Sequence, residues 1–166
     1  SSKTEAFLLP ILADLLREAY NWQPVSGVEA IGKFSEASQE WLHCRRHENR
    51  PAAIRAIILY PLNALVNDQL QRLRRILVRG ESPQWQRQKL RGNLLRFGMY
   101  TSQSKPTGSP NNPSKRQEWL RHYASLRVEW DELSDELRET GGWPCPDGPE
   151  MLCRWDMQLA PPDILI

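Results

Sequence analysis

Two short stretches carry side chains suited to gripping phosphate, each at the head of an amphipathic run. The first is Ser2-Lys3-Thr4-Glu5. A lysine and a threonine opening a helix form the working end of a phosphate-binding loop. In such a loop the ammonium would meet the outer phosphates, the Thr4 hydroxyl would ligate Mg²⁺, and helix N–H groups would close on the anion. Ser2 stands where that motif calls for glycine, and its Cβ crowds the backbone approach that phosphates need. An ordinary helix start capped by Thr4 fits the same residues. The second stretch, 60–69, reads Tyr-Pro-Leu-Asn-Ala-Leu-Val-Asn-Asp-Gln. It places Asn63, Asn67, Asp68 and Gln69 around a helix N-terminus at a strand-to-helix turn. N–H groups and the positive end of a helix dipole there favour a nucleic-acid phosphate. Plain capping of a strand-turn-helix corner is the competing explanation.

The elements that would position these residues follow from periodicity. Residues 4–20 read as a helix whose apolar face is Phe7, Leu8, Ile11, Leu12, Leu15 and Leu16. Pro10 is tolerable only near its first turns. Residues 21–27 are a loop, and 28–47 are weakly helical, broken by Gly32. Residues 52–60 form a short apolar run between Pro51 and Pro61, the pattern of a fully buried strand. A helix over 62–79 follows, striped by Leu65, Val66, Leu70, Leu73, Ile76 and Leu77, with Gly80 as its stop. Residues 94–101 read as another strand, which brings Tyr100 and Thr101 to a strand end. Residues 102–114 are a loop by composition.

A long helix is expected from 115 to 139. Trp119, Tyr123, Leu126, Trp130, Leu133 and Leu137 give it a narrow seam suited to one partner element, in this chain or another. Lys115 and Arg116 at its start and Glu136 and Glu139 at its end oppose the macrodipole, which points to an acidic partner near the basic end. A short helix over 150–158 and an extended entry at Pro161-Pro162 into Ile164-Leu165-Ile166 complete the chain. The alternation of helix and strand argues for an α/β sheet. The expected division is a first part at 1–101, a loop and long-helix insertion at 102–158, and a return strand at 159–166.

Other groups point less sharply to chemistry. His43, Cys44 and His47 offer three ligands and Cys145 and Cys153 two more, but the spacings do not match a zinc knuckle. Arg72, Arg74, Arg75, Arg79, Arg87, Lys89 and Arg91 form a local basic run that could track a DNA backbone or simply face solvent.

Composition sets the outer bounds. The 166 residues fit one domain or a piece of one, with 40% hydrophobic and 25% charged residues, ordinary values for a folded chain. A net charge of +2 leaves any basic surface to be local. No apolar run is long enough to span a bilayer, which argues against membrane partners. Three cysteines at irregular spacing argue against a secreted disulfide framework and for a cytoplasmic setting. The seven tryptophans suit core or contact surface. The chain opens inside a loop and stops inside a strand, so a segment of a larger protein is expected.

Taken in order, the motifs resemble a family. Lys-Thr-Glu-Ala-Phe-Leu-Leu-Pro-Ile-Leu at 3–12 is similar to motif I of superfamily-two helicases and its helix. The 60–69 stretch resembles their motif Ia. Arg-Trp-Asp-Met-Gln at 154–158 with Pro-Pro-Asp-Ile-Leu-Ile at 161–166 resembles the approach to their next DNA-contacting motif. The likeness is to large bacterial DEAD/DEAH-type helicases, including those of DISARM anti-phage systems.

The resemblance implies a partial RecA-like (P-loop) lobe: a parallel sheet with flanking helices and a mainly helical insertion. Ser2, Lys3, Thr4 and Glu5 would bind ATP, with Thr4 reaching Mg²⁺. Pro61, Leu62, Asn63, Ala64, Asn67 and Asp68 would lie along DNA, or RNA, with Tyr100 and Thr101 on the same track. Further subunits of a defence complex are possible partners. The acidic box that orients water, the second lobe and its arginine finger are not in this sequence, so the segment alone cannot complete phosphoryl transfer. A nonhydrolytic nucleic-acid-binding or protein-docking module derived from such a lobe is the alternative.

Overall fold

The computed structural model describes the backbone of residues 2–61 and 63–166, and the side chains of 6–61 and 64–166. Three parallel strands make the central sheet: β3 (Ala56–Ile57), β5 (Ile164–Leu165) and β4 (Phe97–Gly98), in that spatial order. Ala56 and Phe97 both register with Ile164, and Ile57 and Gly98 with Leu165. Helices α1 (Ser2–Ala19) and α2 (Asn63–Leu77) flank this sheet. The molecule is therefore α/β with a small parallel sheet, consistent with a partial RecA-like lobe.

The main core forms where the two flanking helices meet the sheet. Leu8, Leu12, Leu15 and Ala19 of α1 join Val66, Leu70, Leu73 and Leu77 of α2 over Phe97, Ile164 and Ile166. Both quartets keep helical spacing, so one face of each helix is buried. Each fully buried leucine contributes roughly 1.5–3 kcal/mol. Phe7, expected on the buried face of α1, is instead exposed, as are Leu65 and Ile76 of α2. Pro10 lies on the exposed side within α1, which continues through it. Thr4 falls inside α1 rather than at its cap position, because the helix already runs from Ser2.

Four expectations need correction. Residues 28–47 are not helical: β1 (Lys33–Ser35) and β2 (Glu40–Leu42) form an antiparallel hairpin, closed by Gln39 at φ 56°. Phe34 opposite Trp41 gives the hairpin an apolar cross-strand pair. The expected strand at 52–60 pairs only over Ala56–Ile57, and its outer residues are open rather than fully buried. The chain at Ser82–Lys89, given no element above, is a helix, α3. The long helix breaks in two, α4 (Pro113–Glu132) and α5 (Asp135–Glu139), because Ser134 turns extended and caps α5 by accepting from the Leu137 N–H.

The seam of α4 packs on its own chain. Trp119 joins Trp41, Cys153 and Trp155 in a second core, with Tyr123 beside it. Trp41 and Trp155 meet edge-on at 4.9 Å. Trp130 lies under the guanidinium groups of Arg79 and Arg138. The basic start of α4 also finds internal partners. Lys115 pairs with Glu118 at 2.9 Å, and Arg116 stacks on Phe34 with Glu36 at 3.7 Å. No outside acidic partner is needed to account for those charges. The segment before α6 (Arg154–Leu159) returns to the sheet, where the Met151 N–H donates to the Phe97 carbonyl at 2.7 Å.

Candidate functional site

The amino and carboxyl ends of the sheet differ in chemistry. At the amino ends, charge is buried and matched. Asp163, wholly inaccessible, accepts from both Arg50 Nη atoms (2.6 and 2.7 Å), from Arg55 Nη1 (2.9 Å) and from the Arg96 N–H (2.8 Å). Glu48 accepts from Arg45 Nε at 2.6 Å and Arg96 Nε at 2.9 Å. Burial pushes the Glu48 carboxyl up, but Arg96, Arg45 and Arg50 outweigh it and hold the group below the ordinary carboxylate value. Arg45 also donates to the Pro161 carbonyl, and Arg50 lies 3.6 Å from the Trp22 ring centroid. The second proline of the Pro161-Pro162-Asp163 run thus precedes a fold-locking carboxylate.

The direction of α1 follows from its contacts. Near its end, Glu18 pairs with Arg55 at 2.6 Å, just before β3. Near its start, Phe7, Leu8 and Ile11 share a groove with Ile57, Ile58, Leu59 and Tyr60. The helix therefore runs against β3, and its first turn lies at the carboxyl edge of the sheet. Helix α2 begins at that same edge, at Asn63, two residues after Pro61. Because the strands are parallel and in register, Tyr100 and Thr101 follow β4 onto the edge as well. Two helix heads and two strand ends share one rim. Open α/β sheets bind ligands at that rim.

The candidate residues divide as follows. Ser2, Lys3, Thr4 and Glu5 occupy the first turn of α1; their side chains, with that of Asn63 and all of Leu62, lie outside the described residues. Pro61, Ala64 and Asn67 are exposed. Asp68 accepts from Arg72 Nε at 2.9 Å and from Gln69 Nε2 at 3.3 Å, so it steadies the first turns of α2. The Tyr100 hydroxyl accepts from Arg154 Nε (3.1 Å) and Gln158 Nε2 (2.8 Å). The Thr101 hydroxyl accepts from the Gln103 N–H at 3.1 Å. Arg154 and Gln158 were not singled out as site residues, although their spacing of four puts them on one face of a helix. Gln69, of the 60–69 stretch, is buried rather than open to a ligand, and its Oε1 has no hydrogen-bond partner.

The basic run is divided between the fold and the surface. Arg74 makes a two-point contact with Glu150 at 2.6 and 2.8 Å, and Arg79 is buried and donates to the Trp143 carbonyl. Arg72 pairs with Asp68 and Arg87 with Glu29. Arg75, Arg87, Lys89 and Arg91 are exposed. Arg74 and Arg79 therefore do not face solvent as a DNA track would require.

A second cavity, about 340 Å³, lies between the segments flanking the hairpin, the 146–153 segment, α4 and α6, walled by Trp119, Tyr123, Cys44, Cys153 and Asp156. Asp156 accepts from Trp41 Nε1 at 2.7 Å. Burial pushes its carboxyl above the ordinary value, against the hydrogen bonds from Trp41 and Cys44. Burial likewise pushes the Cys44 and Cys153 thiols well up, so neither is a ready thiolate. Among the described residues, no group of three or more histidine, cysteine or acidic side chains could hold a metal ion, including His43, Cys44 and His47. No helix among them is long and apolar enough to cross a membrane.

Comparison with known proteins adds one relative. No family model matches the chain, and no solved structure matches it. The chain is similar to Druantia protein DruE of Escherichia coli (strain UMEA 4076-1), with 33% identity over 153 residues. That match covers 89% of this chain but 7% of the relative, so the chain spans a small part of the protein it resembles.

Proposed function

We propose that this chain is part of the first motor lobe of an ATP-dependent DNA helicase or translocase acting in bacterial phage defence, in the cytoplasm. The observation that carries the reading is the shared rim: the heads of α1 and α2 and the ends of β3 and β4 converge on one edge. The motif likeness to DISARM-type helicases and the similarity to the Druantia protein support the defence setting.

ATP with Mg²⁺ would supply the phosphoryl transfer that drives movement. The first turn of α1 suits its phosphates, because the opening N–H groups of a helix lack intrahelical partners and carry partial positive charge. Lys3 would neutralise outer phosphates, and Thr4 would ligate Mg²⁺. Pro61, Asn63 and Ala64 would lie against one strand of DNA, and Tyr100 and Thr101 would continue the track. Contacts of this kind read backbone rather than sequence, so RNA is a possible second substrate. Displacement of these turns relative to a second lobe would turn hydrolysis into stepping. Other subunits of a defence complex are the expected protein partners.

Ser2 favours a second reading, a nonhydrolytic nucleic-acid-binding module, because it stands where phosphate-binding loops carry glycine. One experiment separates the two. DNA-stimulated ATPase is measured on the natural polypeptide containing these residues, with Lys3→Ala beside it. The motor reading expects the substitution to abolish hydrolysis while DNA binding persists. Hydrolysis unaffected by Lys3→Ala removes the assignment. DNA binding without any hydrolysis in the parent selects the second reading.

A further inference from the structure

The cavity of about 340 Å³ beside α4 and α6 is not part of the rim. None of residues 60–69 lines it, and Arg96, which does, stands just before β4 rather than after it. Its walls carry four carboxyl groups, on Glu29, Asp147, Glu150 and Asp156, against the one guanidinium of Arg96. Three of the four are already matched. Glu150 holds Arg74 at 2.6 and 2.8 Å, Asp147 pairs with Arg127, and Glu29 meets Arg87 at 3.3 Å and Arg96 at 3.6 Å. Arg96 is itself bound by Glu48 at 2.9 Å.

Asp156 differs from these. It is 5% exposed, yet among the described residues no lysine, arginine or histidine lies within ion-pair distance of it. The other two acids buried as deeply, Glu150 and Asp163, each hold an arginine. The donors to Asp156 are neutral, Trp41 Nε1 at 2.7 Å and the Cys44 thiol. A buried carboxylate without a counter-charge is costly, and a cation arriving beside it offsets that cost. Gly32, on the same wall, leaves the space beside both oxygens open: a Cβ there would lie 2.5 Å from Oδ1 and 2.8 Å from Oδ2.

The rest of the wall suits a cation with a flat face. Trp119 and Tyr123 line the cavity with ring centroids 5.8 Å apart and planes tilted by 39°. The Tyr123 hydroxyl donates to the Pro146 carbonyl at 3.0 Å, which fixes that ring. Aromatic faces attract cations most strongly where water is excluded. A guanidinium sheds its water more easily than an ammonium, stacks on a ring, and offers a carboxylate two parallel N–H donors. The volume has room for such a head on a short chain, being near the lower end of ligand pockets.

We propose that this cavity binds a guanidinium group, with its N–H fork on the Asp156 carboxylate and its face against Trp119 and Tyr123. Two sources carry that head, a free guanidino compound and a peptide arginine, and the probes distinguish them. No nucleotide or nucleic acid takes part, so the proposal stands or falls separately from the motor reading.

The natural polypeptide is titrated by calorimetry with agmatine, with N-acetylarginine amide, and with N-acetylcitrulline amide, whose neutral urea head replaces the guanidinium. The arginine probe should bind about 10- to 100-fold more tightly than the citrulline probe, as charge-assisted hydrogen bonds in a buried site imply. Asp156→Asn should remove most of that difference, and Tyr123→Leu should weaken the arginine probe about threefold, with thermal melts reporting that each variant is folded. Methyl methanethiosulfonate labelling of Cys44, mapped by peptide mass, should slow when agmatine is bound, while Cys145, which does not line the cavity, should label unchanged. Agmatine binding more tightly than N-acetylarginine amide selects the free compound, and the reverse order selects an arginine side chain. Equal affinity for the arginine and citrulline probes overturns the proposal. So does guanidinium binding that leaves Cys44 labelling and the Asp156→Asn affinity unchanged, and so does the absence of binding at about 10 mM probe.

Discussion

Replacing Asp163 with asparagine tests whether the carboxylate at the return strand is there to lock the fold. Asn keeps the shape and one acceptor oxygen but removes the charge that meets Arg50, Arg55 and the Arg96 N–H. The Arg50 side chain is 1% accessible and cannot turn to water. Its remaining contacts are the Leu94 carbonyl at 3.2 Å, the Trp22 ring and Glu48 Oε2 at 4.0 Å. Breaking a buried ion pair from one side costs about 3–5 kcal/mol. The residual attraction of Glu48 places this case near the lower bound, about 3 kcal/mol. With a urea slope of about 2 kcal/mol/M, the unfolding midpoint should fall by roughly 1.5 M. Urea titration followed by tryptophan fluorescence reads this directly, since Trp22 lies under Arg50. A midpoint shift below about 0.3 M would refute the reasoning. A drop in DNA affinity at unchanged stability would instead place Asp163 in the proposed nucleic-acid track.

Three further substitutions probe the packing behind the rim. Asp156→Asn keeps an acceptor for Trp41 Nε1 and removes a charge that burial disfavours. The folded Asp156 binds its proton more tightly than the unfolded one, so the parent loses stability as pH rises from the ordinary carboxylate value through the raised one. The Asn variant should lack that component of loss and be at least as stable near neutrality, as thermal melts across the acid-to-neutral range will show. Glu48 acts in the opposite sense: its lowered value means stability present above the ordinary carboxylate range and lost as pH falls through the folded value. Glu48→Gln should flatten the acid limb of the same melts while lowering stability at neutral pH. Gly98→Ala places a Cβ 2.7 Å from Met157 Sδ and 3.0 Å from the Met151 carbonyl. The backbone carbonyl cannot step aside, so a loss of about 1–3 kcal/mol is expected in chemical denaturation.

The helices were the most legible part of this chain, and the reason is local. Leu8, Leu12 and Leu15 in α1, and Val66, Leu70, Leu73 and Leu77 in α2, repeat at the helical period, and the structure buries them. The hairpin at Lys33–Leu42 was not legible, since its strands span three residues each and Gly32 interrupts any pattern. Gly32 in fact marks a close approach: a Cβ there would lie 2.5 Å from Asp156 Oδ1, a tertiary fact no local window contains. The strand expected at 52–60 shrinks to Ala56–Ile57, because an apolar run says nothing of what pairs with it or covers it. The basic run misled for a related reason. Composition registers Arg74 and Arg79 as charge, whereas their partners Glu150 and Trp143 lie far along the chain. For the rim, strand-end placement of Asn63 and Tyr100 came from local signals; the network that steadies Tyr100 depends on α6 folding back.

The two ends of the sheet make complementary demands, and that contrast bears on how the rim could work. Buried ion pairs give little net stability over apolar packing, yet breaking one is costly, so they resist rearrangement. Here they gather at the amino ends, where Asp163 and Glu48 tie the chain before β3, before β4 and before β5 to one another. The carboxyl rim carries the reverse: exposed Pro61, Ala64 and Asn67, a short Asp68–Arg72 pair, and helix heads. A rim able to adjust to a ligand on a base that cannot adjust keeps strand register fixed while turns move. Loosening the base should therefore impair a rim function even at distances where no ligand contact is lost. Asp163→Asn, held well below its melting temperature, should weaken nucleic-acid binding by the natural polypeptide only in proportion to its unfolded fraction if the rim is autonomous, and by more if register matters. Binding measured against fractional unfolding across a urea series separates the two, and strict proportionality would show that the base contributes stability and nothing further.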